Sequence, residues 1–538
     1  MLGQALTNSG VIKSPYPDLE INEKISLPRF ILDQLDEFGE NTALIDGVTG
    51  RVLSYRQLKA DIIKVASGLT RLGLTKGQTL TMYAPNSIEW CIFYLAAGLT
   101  GAIVSSVNPL YTTGELAHAI NHSDSKFIVT IPELAPVAKE ARKNCPKVKS
   151  ILVFGDSTGC VPFSSLLADD GKAFPENVDI LATEDIMALP YSSGTTGLPK
   201  GVMLSHANIV ANIEQLRAPH LMKYGAQDTL LGVLPFFHIY GQVVVLLSGL
   251  RGGARIVTMP KFDPELFLHC ASSYKATYLH VVPPIALFLA KHPMVGKYDL
   301  SFAETMFVGA APIGVATMNE VMERFGNKLV VRQGYGLTEA SPVTHGNPQS
   351  RDKIKINTIG PAVPNTEFKV IDPETGAALP VGEEGELCVR GPQVMKGYLK
   401  NPKETADTIK DGWLRTGDIS YYDKDGYVTI SDRLKELIKV KGFQVAPAEL
   451  EALLVSHGSV QDAAVIGKPN ENTGELPLAY IVLKPNKTAT VEDIQNYVKN
   501  KVAPFKELTG GVKFIKEIPK SATGKILRRI LKDELKNE

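Results

Sequence analysis

From about residue 28 to residue 340 the chain alternates short apolar runs with segments of helical period. LTMYAPNS (80–87) precedes a helical pattern over 88–97, KFIVTI (126–131) precedes ELAPVAKEARKN, and SILVFG (150–155) is a further apolar run. Parallel strands need long crossover connections, usually helices, and strands covered on both faces read as nearly continuous apolar runs. The alternation therefore predicts an α/β fold with layered, parallel sheets. A length of 538 residues gives room for two to four domains, and 44% hydrophobic with 21% charged residues is ordinary globular composition.

The texture changes along the chain. From about 355 to 431, short strand-like runs are separated by turn signals at DPETG, VGEEG and KDG, which predicts a small β-barrel-like subdomain. At SDRLKELIKVKGFQVAPAELE the sequence turns basic and then starts a helix, with Pro447 suited to its first turn. AAVIG, LAYIVL, a helical pattern over 491–502 and VKFIKEI follow. The expected division is an N-terminal domain over 1–431, made of α/β subdomains at 28–354 and a β-subdomain at 355–431, and a small mobile α+β C-terminal domain over 432–538.

Several classes are disfavoured. Lys+Arg and Asp+Glu both number 57, so no overall charge suits nucleic acid or a membrane surface. Five widely spaced cysteines without a C-x-x-C support neither a disulfide framework nor a zinc site and fit a reducing compartment. The first residues lack a basic start followed by an apolar core, so no signal peptide is expected. The uncharged stretch Trp90 to Val107 is interrupted by Gly98 and Gly101, which predicts a buried helix, a glycine turn and a strand, not a membrane span. KDEL at 532–535 is not terminal, and the final KNE is not an SKL-type address. A cytoplasmic protein is the expectation, with a peroxisomal one left open although no terminal SKL-type signal is present.

Four stretches carry chemistry. YSSGTTGLPKG (191–201) crowds glycines and hydroxyls before Lys200, a composition that cradles phosphate through backbone N–H groups. It is not a Walker A loop: the sixth position from Gly194 is Pro199, and Gly201 follows the lysine. QGYGLTEA (333–340) fails the dinucleotide fingerprint because Glu339 stands where glycine or alanine is needed. It offers Tyr335 for stacking on a base, and Thr338 and Glu339 as oxygen ligands suited to Mg²⁺. WLRTGDI (413–419) places Asp418 where it could accept hydrogen bonds from ribose hydroxyls, and Arg433, Lys435, Lys439 and Lys441 follow on one short basic segment. PKSATGKILRR (519–529) puts Lys525 on a loop ahead of an amphipathic helix.

These stretches, with LPFFHIYG, VGAAPIG and GELCVRGP, occur in one order. So ordered, the chain resembles the acyl-adenylate-forming enzymes, in the branch that holds 4-coumarate–CoA ligases, fatty acyl-CoA synthetases and beetle luciferases. The resemblance runs from about 30 to 530. It implies an ATP-dependent, AMP-forming acid–CoA ligase: a carboxylate attacks the α-phosphate of ATP, and the thiol of coenzyme A then takes the acyl group. It implies that Ser192, Ser193, Gly194, Thr195, Thr196 and Lys200 hold the departing phosphates, with Thr196 and Glu339 placing Mg²⁺. It further implies that Gln333, Gly334, Tyr335 and Thr338 line the AMP site with Gln444, that Asp418 and Arg433 bind ribose, and that Lys525 is the adenylation lysine. Lys435 matches the hinge about which the C-terminal domain turns, bringing Lys439, Lys441 and Gly442 inward for the second step. Lys441, Gly442 and Lys261 resemble coenzyme A contacts.

The same resemblance lines the acyl pocket with His238, Ile239, Tyr240, Gly309, Ala310, Gly334, Gly336, Pro342 and Val343, and has His238 orient the carboxylate. The His-Ile-Tyr run is closer to the coumarate ligases than to luciferase. Phe307, Thr344 and Gly346 depart from the plant enzymes, which leaves open an aromatic acid like 4-coumarate or a fatty acid. Competing readings are a luciferase-like monooxygenase that oxidises its acyl-adenylate, an enzyme that loads a carrier protein, and an inactive binding protein.

Overall fold

The computed structural model describes residues 10–192, 199–434, 436–440, 443–470, 474–499, 501–502, 504–521 and 524–536. Two large sheets, a six-stranded sheet and a five-stranded sheet carry its strands. One large sheet runs in the order 191–192, 200–205, 186–188, 103–106, 79–82, 127–130, 150–153, 161–162, with 397–398 added beside 200–205. The other runs 343–346, 330–336, 305–308, 278–281, 229–232, 255–258, 42–46, 52–54. The interiors of both are parallel and antiparallel strands sit at their ends, as the alternation of runs predicts.

The uncharged stretch resolves as expected, into the buried helix Ile88–Leu99 and the strand Ile103–Ser106. Ser87 caps that helix by accepting from Trp90 N–H, which satisfies one orphan donor. Every side chain of the helix but Glu89 is buried. Such a helix is apolar all round because it lies between protein layers. Among the described residues no helix is long and apolar enough to cross a membrane.

The β-subdomain is the six-stranded sheet of 367–371, 385–390, 409–410, 413–422 and 428–433, joined at its edge by Ile12–Lys13 from the N-terminus. Its inward residues Phe368, Val370, Leu387, Val389 and Leu414 belong to the same apolar core as the two large sheets. The expected junction near Asp432 falls inside the strand Val428–Arg433, whose last two residues pair with Ile419 and Asp418. After it comes a unit with its own core. The strands 438–440, 443–445, 460–470, 474–483 and 511–514 form one sheet. One face packs Val445, Leu450, Leu454, Val465 and Ile481, and the other packs Ile466, Tyr480, Ile518 and Leu531.

Candidate functional site

In parallel sheets ligands bind at the carboxyl ends of the strands, and the main cavity lies there. It encloses about 1400 Å³ and is lined by residues that follow the strands 103–106, 229–232, 278–281 and 305–308. The C-terminal unit closes its other side with Lys525, Arg528 and the start of the helix Pro447–Val455.

Two short antiparallel strands flank the glycine-rich stretch. Tyr191 pairs with Gly201 and Ser192 with Lys200, antiparallel. The strand Lys200–Ser205 separates it from the helix His206–Arg217. Ser193, Gly194, Thr195 and Thr196 lie outside the described residues. Lys200 is ion-paired with Glu404 and lies 5.1 Å from the Tyr398 ring centroid.

QGYGLTEA is the end of a strand followed by a tight turn. Val330–Gly336 runs parallel to Thr305–Val308, then pairs antiparallel with Val343–Gly346 across the 3₁₀ turn Thr338–Ala340. The glycines are required by close approach. A Cβ at Gly336 would lie 2.3 Å from the Pro342 carbonyl oxygen, and one at Gly334 would lie 2.1 Å from the Phe307 ring. Glu339 is buried and accepts from the Tyr398 hydroxyl at 2.9 Å. Gln333 Nε2 donates to the Ile356 carbonyl at 2.7 Å.

Asp418 is the centre of a second cluster. Its strand register places it directly opposite Arg433. Tyr335 donates to Asp418 Oδ2 at 2.5 Å and Arg433 Nε sits 3.3 Å from Oδ1. Burial raises the Asp418 pKa while Arg433 opposes that rise. Burial and the neighbouring Asp418 raise the Tyr335 pKa, so Tyr335 remains a donor. The turn is shaped by Glu386, which is ion-paired with Arg415 and accepts from Gly417 N–H at 3.1 Å.

His238 begins the third part. Asn86 pins the preceding loop by donating to the Gly232 and Leu234 carbonyls at 2.9 and 2.8 Å and accepting from Phe236 N–H at 2.7 Å. His238 Nδ1 accepts from Tyr240 N–H at 3.3 Å, which places the ring proton on Nε2. Burial, helped by the Lys525 charge, lowers the His238 pKa to about 4, so the ring is neutral. Tyr240 donates to the Phe307 carbonyl at 3.1 Å, and Gly309 leaves room for the Tyr240 ring, which a Cβ there would meet at 3.0 Å.

Lys525 enters this cavity from the C-terminal unit. Burial, then the Arg433 charge, lowers its pKa to about 8, against the pull of Glu436, Asp418 and Glu339. Arg528, three residues on, anchors the segment: Nη1 reaches Glu436 at 2.7 Å and Nη2 reaches Glu451 at 2.7 and 2.8 Å.

The cavity thus gathers Ser192, Lys200, His238, Ile239, Tyr240, Gly309, Ala310, Gln333, Gly334, Tyr335, Gly336, Thr338, Glu339, Pro342, Val343, Asp418, Arg433 and Lys525. Lys261 and Lys439 are exposed and do not line it. Lys439 pairs with Gln444 across the hairpin 438–445. Lys435, Lys441 and Gly442 lie outside the described residues. Sequence reasoning missed Tyr398, Glu404, Glu386 and Asn86. Each contacts its partner from a distant part of the chain; Glu386 lies in GELCVRGP and Asn86 in LTMYAPNS, but neither run tells which atoms they meet.

Known proteins are similar to this chain over nearly its whole length. The family described as AMP-binding enzyme matches residues 31–399, and the AMP-binding enzyme C-terminal domain matches 449–525. A probable 4-coumarate–CoA ligase of Dictyostelium discoideum is 42% identical over 537 residues, covering 97% of each chain. A 4-coumarate–CoA ligase of Petroselinum crispum is 42% identical, covering 97% of this chain and 96% of its own. Among solved structures, an anthranilate–CoA ligase in complex with anthranoyl-AMP superposes with TM-score 0.88 at 25% identity, covering 96% of this chain and 98% of its own. ATP-bound MatB from Rhodopseudomonas palustris superposes with TM-score 0.86 at 29% identity, covering 96% and 99%. With a family match over most of its length and full-length relatives at this identity, the chain belongs to the AMP-binding, acyl-adenylate-forming enzymes, in the branch of the 4-coumarate–CoA ligases.

Proposed function

We propose that the protein activates a carboxylic acid with ATP, giving acyl-AMP and pyrophosphate, and then passes the acyl group to coenzyme A, giving acyl-CoA and AMP. The observation that carries this reading is the delivery of Lys525 from one unit into a cavity built by the other, beside His238, Glu339 and the Asp418–Arg433 pair. Negative charge gathers as a carboxylate oxygen meets the α-phosphate, and a fixed ammonium in a partly dry cleft stabilises it. Neutral His238, donating from Nε2, orients the carboxylate and does not act as a base. Tyr335 and the Asp418–Arg433 pair hold the adenosine and its ribose, with Gln333, Gly334, Thr338 and Gln444 around the nucleotide. The glycine-rich stretch, with Ser192, Ser193, Gly194, Thr195, Thr196 and Lys200, grips the leaving pyrophosphate.

The described residues contain no group of three or more His, Cys, Asp or Glu side chains that could cage a metal by themselves. That suits Mg²⁺, which is usually held by one or two protein oxygens together with substrate phosphates and water. Glu339 fits as such a ligand, with Thr196 as the second, and the ion would neutralise charge on the phosphates. For the second step the C-terminal unit turns about Lys435, withdraws Lys525 and presents Lys439, Lys441 and Gly442 to coenzyme A, with Lys261 on the facing surface. The exposed position of Lys439 outside the cavity supports this division, since adenylation does not use it.

A panel of aromatic and fatty acids, assayed for AMP formation with and without coenzyme A, tests the reading. Acid-dependent pyrophosphate release with acyl-CoA formation is expected, and no release with any acid would overturn it. Light emission with luciferin and ATP would instead favour the luciferase-like reading. Two further outcomes are expected. Because the Lys525 pKa is lowered to about 8, the ammonium form is lost above that pH, and kcat/KM for adenylation falls as pH rises through about 8. A profile flat to pH 10 contradicts the assignment. Gly336→Ala forces the turn apart by its contact with the Pro342 carbonyl, and kcat/KM for AMP formation drops by roughly 10²-fold, the scale of a 1 Å displacement. Near-normal turnover would show that the turn can yield.

A further inference from the structure

Behind the acyl pocket lies a polar group that the reaction above does not use. His280, Phe307 and Arg332 are neighbours across three parallel strands, with His280 opposite Phe307 and Phe307 opposite Arg332. Phe307 lines the main cavity, whereas His280 and Arg332 are fully buried beside it at 0% and 1% exposure. The Arg332 guanidinium lies 5.6 Å from the Phe307 ring centroid, and the His280 ring lies 6.0 Å from it.

Arg332 is only half satisfied. Nη1 donates to the Leu221 carbonyl at 2.8 Å and the Asn347 carbonyl at 3.2 Å, while Nε and Nη2 have no hydrogen-bond partner. Burial lowers its pKa, and tyrosines oppose this, Tyr278 first and then Tyr224, Tyr16 and Tyr240. His280 Nε2 is engaged with the Tyr224 hydroxyl at 2.7 Å, and Nδ1 is unpartnered.

The pattern of the missing bonds is informative. The free Nε and Nη2 form one edge of the guanidinium, the fork that takes both oxygens of a carboxylate side-on. A buried cation without an anion is costly, and its unpartnered edge is where a further acceptor would be stabilising. Between the guanidinium and the cavity stands the Phe307 ring, which lines the cavity and lies 5.6 Å from the Arg332 guanidinium. Phe307 rests on Gly334 and Gly346, where a Cβ would lie 2.1 and 3.9 Å from its tip.

We propose that Arg332, with His280, forms a distal anion subsite at the closed end of the acyl pocket, reached when the Phe307 ring turns aside, and that it receives a second carboxylate carried at the far end of the acid substrate. The proposal rests on the acid-activating reading of the same cavity. It makes the preferred acid a dicarboxylate, with one carboxylate at His238 and Lys525 and the other on the Arg332 fork. Sites built to hydrogen-bond a substrate group reject the analogue that lacks it far more strongly than apolar pockets reject a missing methylene.

The test compares matched pairs on the full-length enzyme: cinnamic with 4-carboxycinnamic acid, and straight-chain monoacids with ω-diacids of the same chain length, over a range of lengths. At least one diacid is expected to exceed its monoacid partner by ~10²-fold or more in kcat/KM for AMP formation. Arg332→Met should bring that ratio to about one or below, and Arg332→Lys should recover only part of it, since a lysine lacks the fork. If no diacid outperforms its partner on the wild-type enzyme, the subsite is wrong even though acid activation stands. A preference that survives in Arg332→Met also overturns it. If no acid is adenylated, the ligase reading fails separately, and calorimetric binding of the same pairs to the wild-type protein reads the subsite directly. Tighter binding of a diacid supports it there, and equal or weaker binding overturns it.

Discussion

Lys525→Ala slows acyl-adenylate formation by about 10²–10³-fold, the scale of removing one preorganised charge-stabilising donor, and leaves thioester formation from supplied acyl-AMP nearly intact. The lysine sits in the cavity beside His238, Asp418 and Glu339, half-buried and close to other charges. In the proposed reaction its ammonium serves the step in which a carboxylate attacks phosphate. Thioester formation, in the same proposed cycle, uses another orientation of the C-terminal unit, in which this loop would be withdrawn. Single-turnover measurement of the two half-reactions separates the effects. Equal loss in both would contradict the assignment of Lys525 to the first step.

Arg528→Met destabilises the C-terminal unit by about 3 kcal/mol, within the range for removing one partner of a buried ion pair. Arg528 holds two carboxylates, Glu436 just after the strand Val428–Arg433 and Glu451 on the helix Pro447–Val455, and donates to the Val465 carbonyl at 3.2 Å. Methionine keeps the bulk but strands both acids. Burial already raises the Glu451 pKa from 4.5 to about 7, with Arg528 opposing the rise. Without Arg528 it climbs further. An acid whose folded pKa lies above its unfolded value contributes stability that is present below the unfolded value and lost as pH rises through the folded one. The wild type loses the same contribution up to about pH 7, so the deficit of Arg528→Met grows as pH rises from about 7 upward. Thermal unfolding across that rise measures it, and Glu436→Gln with Glu451→Gln added to Arg528→Met should recover most of the loss. A deficit below about 0.5 kcal/mol at every pH would place the cluster with weak surface pairs.

Much of this could be read from residues alone, and the failures have physical causes. The parallel layers were legible because strands covered on both faces leave continuous apolar runs, as at Phe127–Thr130 and Ser150–Val153. In QGYGLTEA the sequence showed a failed dinucleotide fingerprint, and the close approaches of Gly334 to Phe307 and of Gly336 to Pro342 emerge only from the fold. The strand Lys200–Ser205 was hidden because a loop before a strand and a loop before a helix share the same glycine and hydroxyl chemistry. Tyr398 on Glu339 and Glu404 on Lys200 bridge 59 and 204 positions of sequence, so no spacing rule finds them. Arg332 and His280 look like ordinary residues of apolar strands until the strand register places Phe307 between them.

The most direct test of the account follows oxygen. An acid labelled with ¹⁸O in its carboxylate is incubated with ATP, Mg²⁺ and coenzyme A, and the products are weighed by mass spectrometry. If the carboxylate attacks the α-phosphate, one labelled oxygen leaves with AMP when the thiol takes the acyl group, and pyrophosphate carries none. Label in inorganic phosphate with ADP formed, or product acyl-CoA with unlabelled AMP, would contradict an acyl-adenylate and with it the assignment of this cavity.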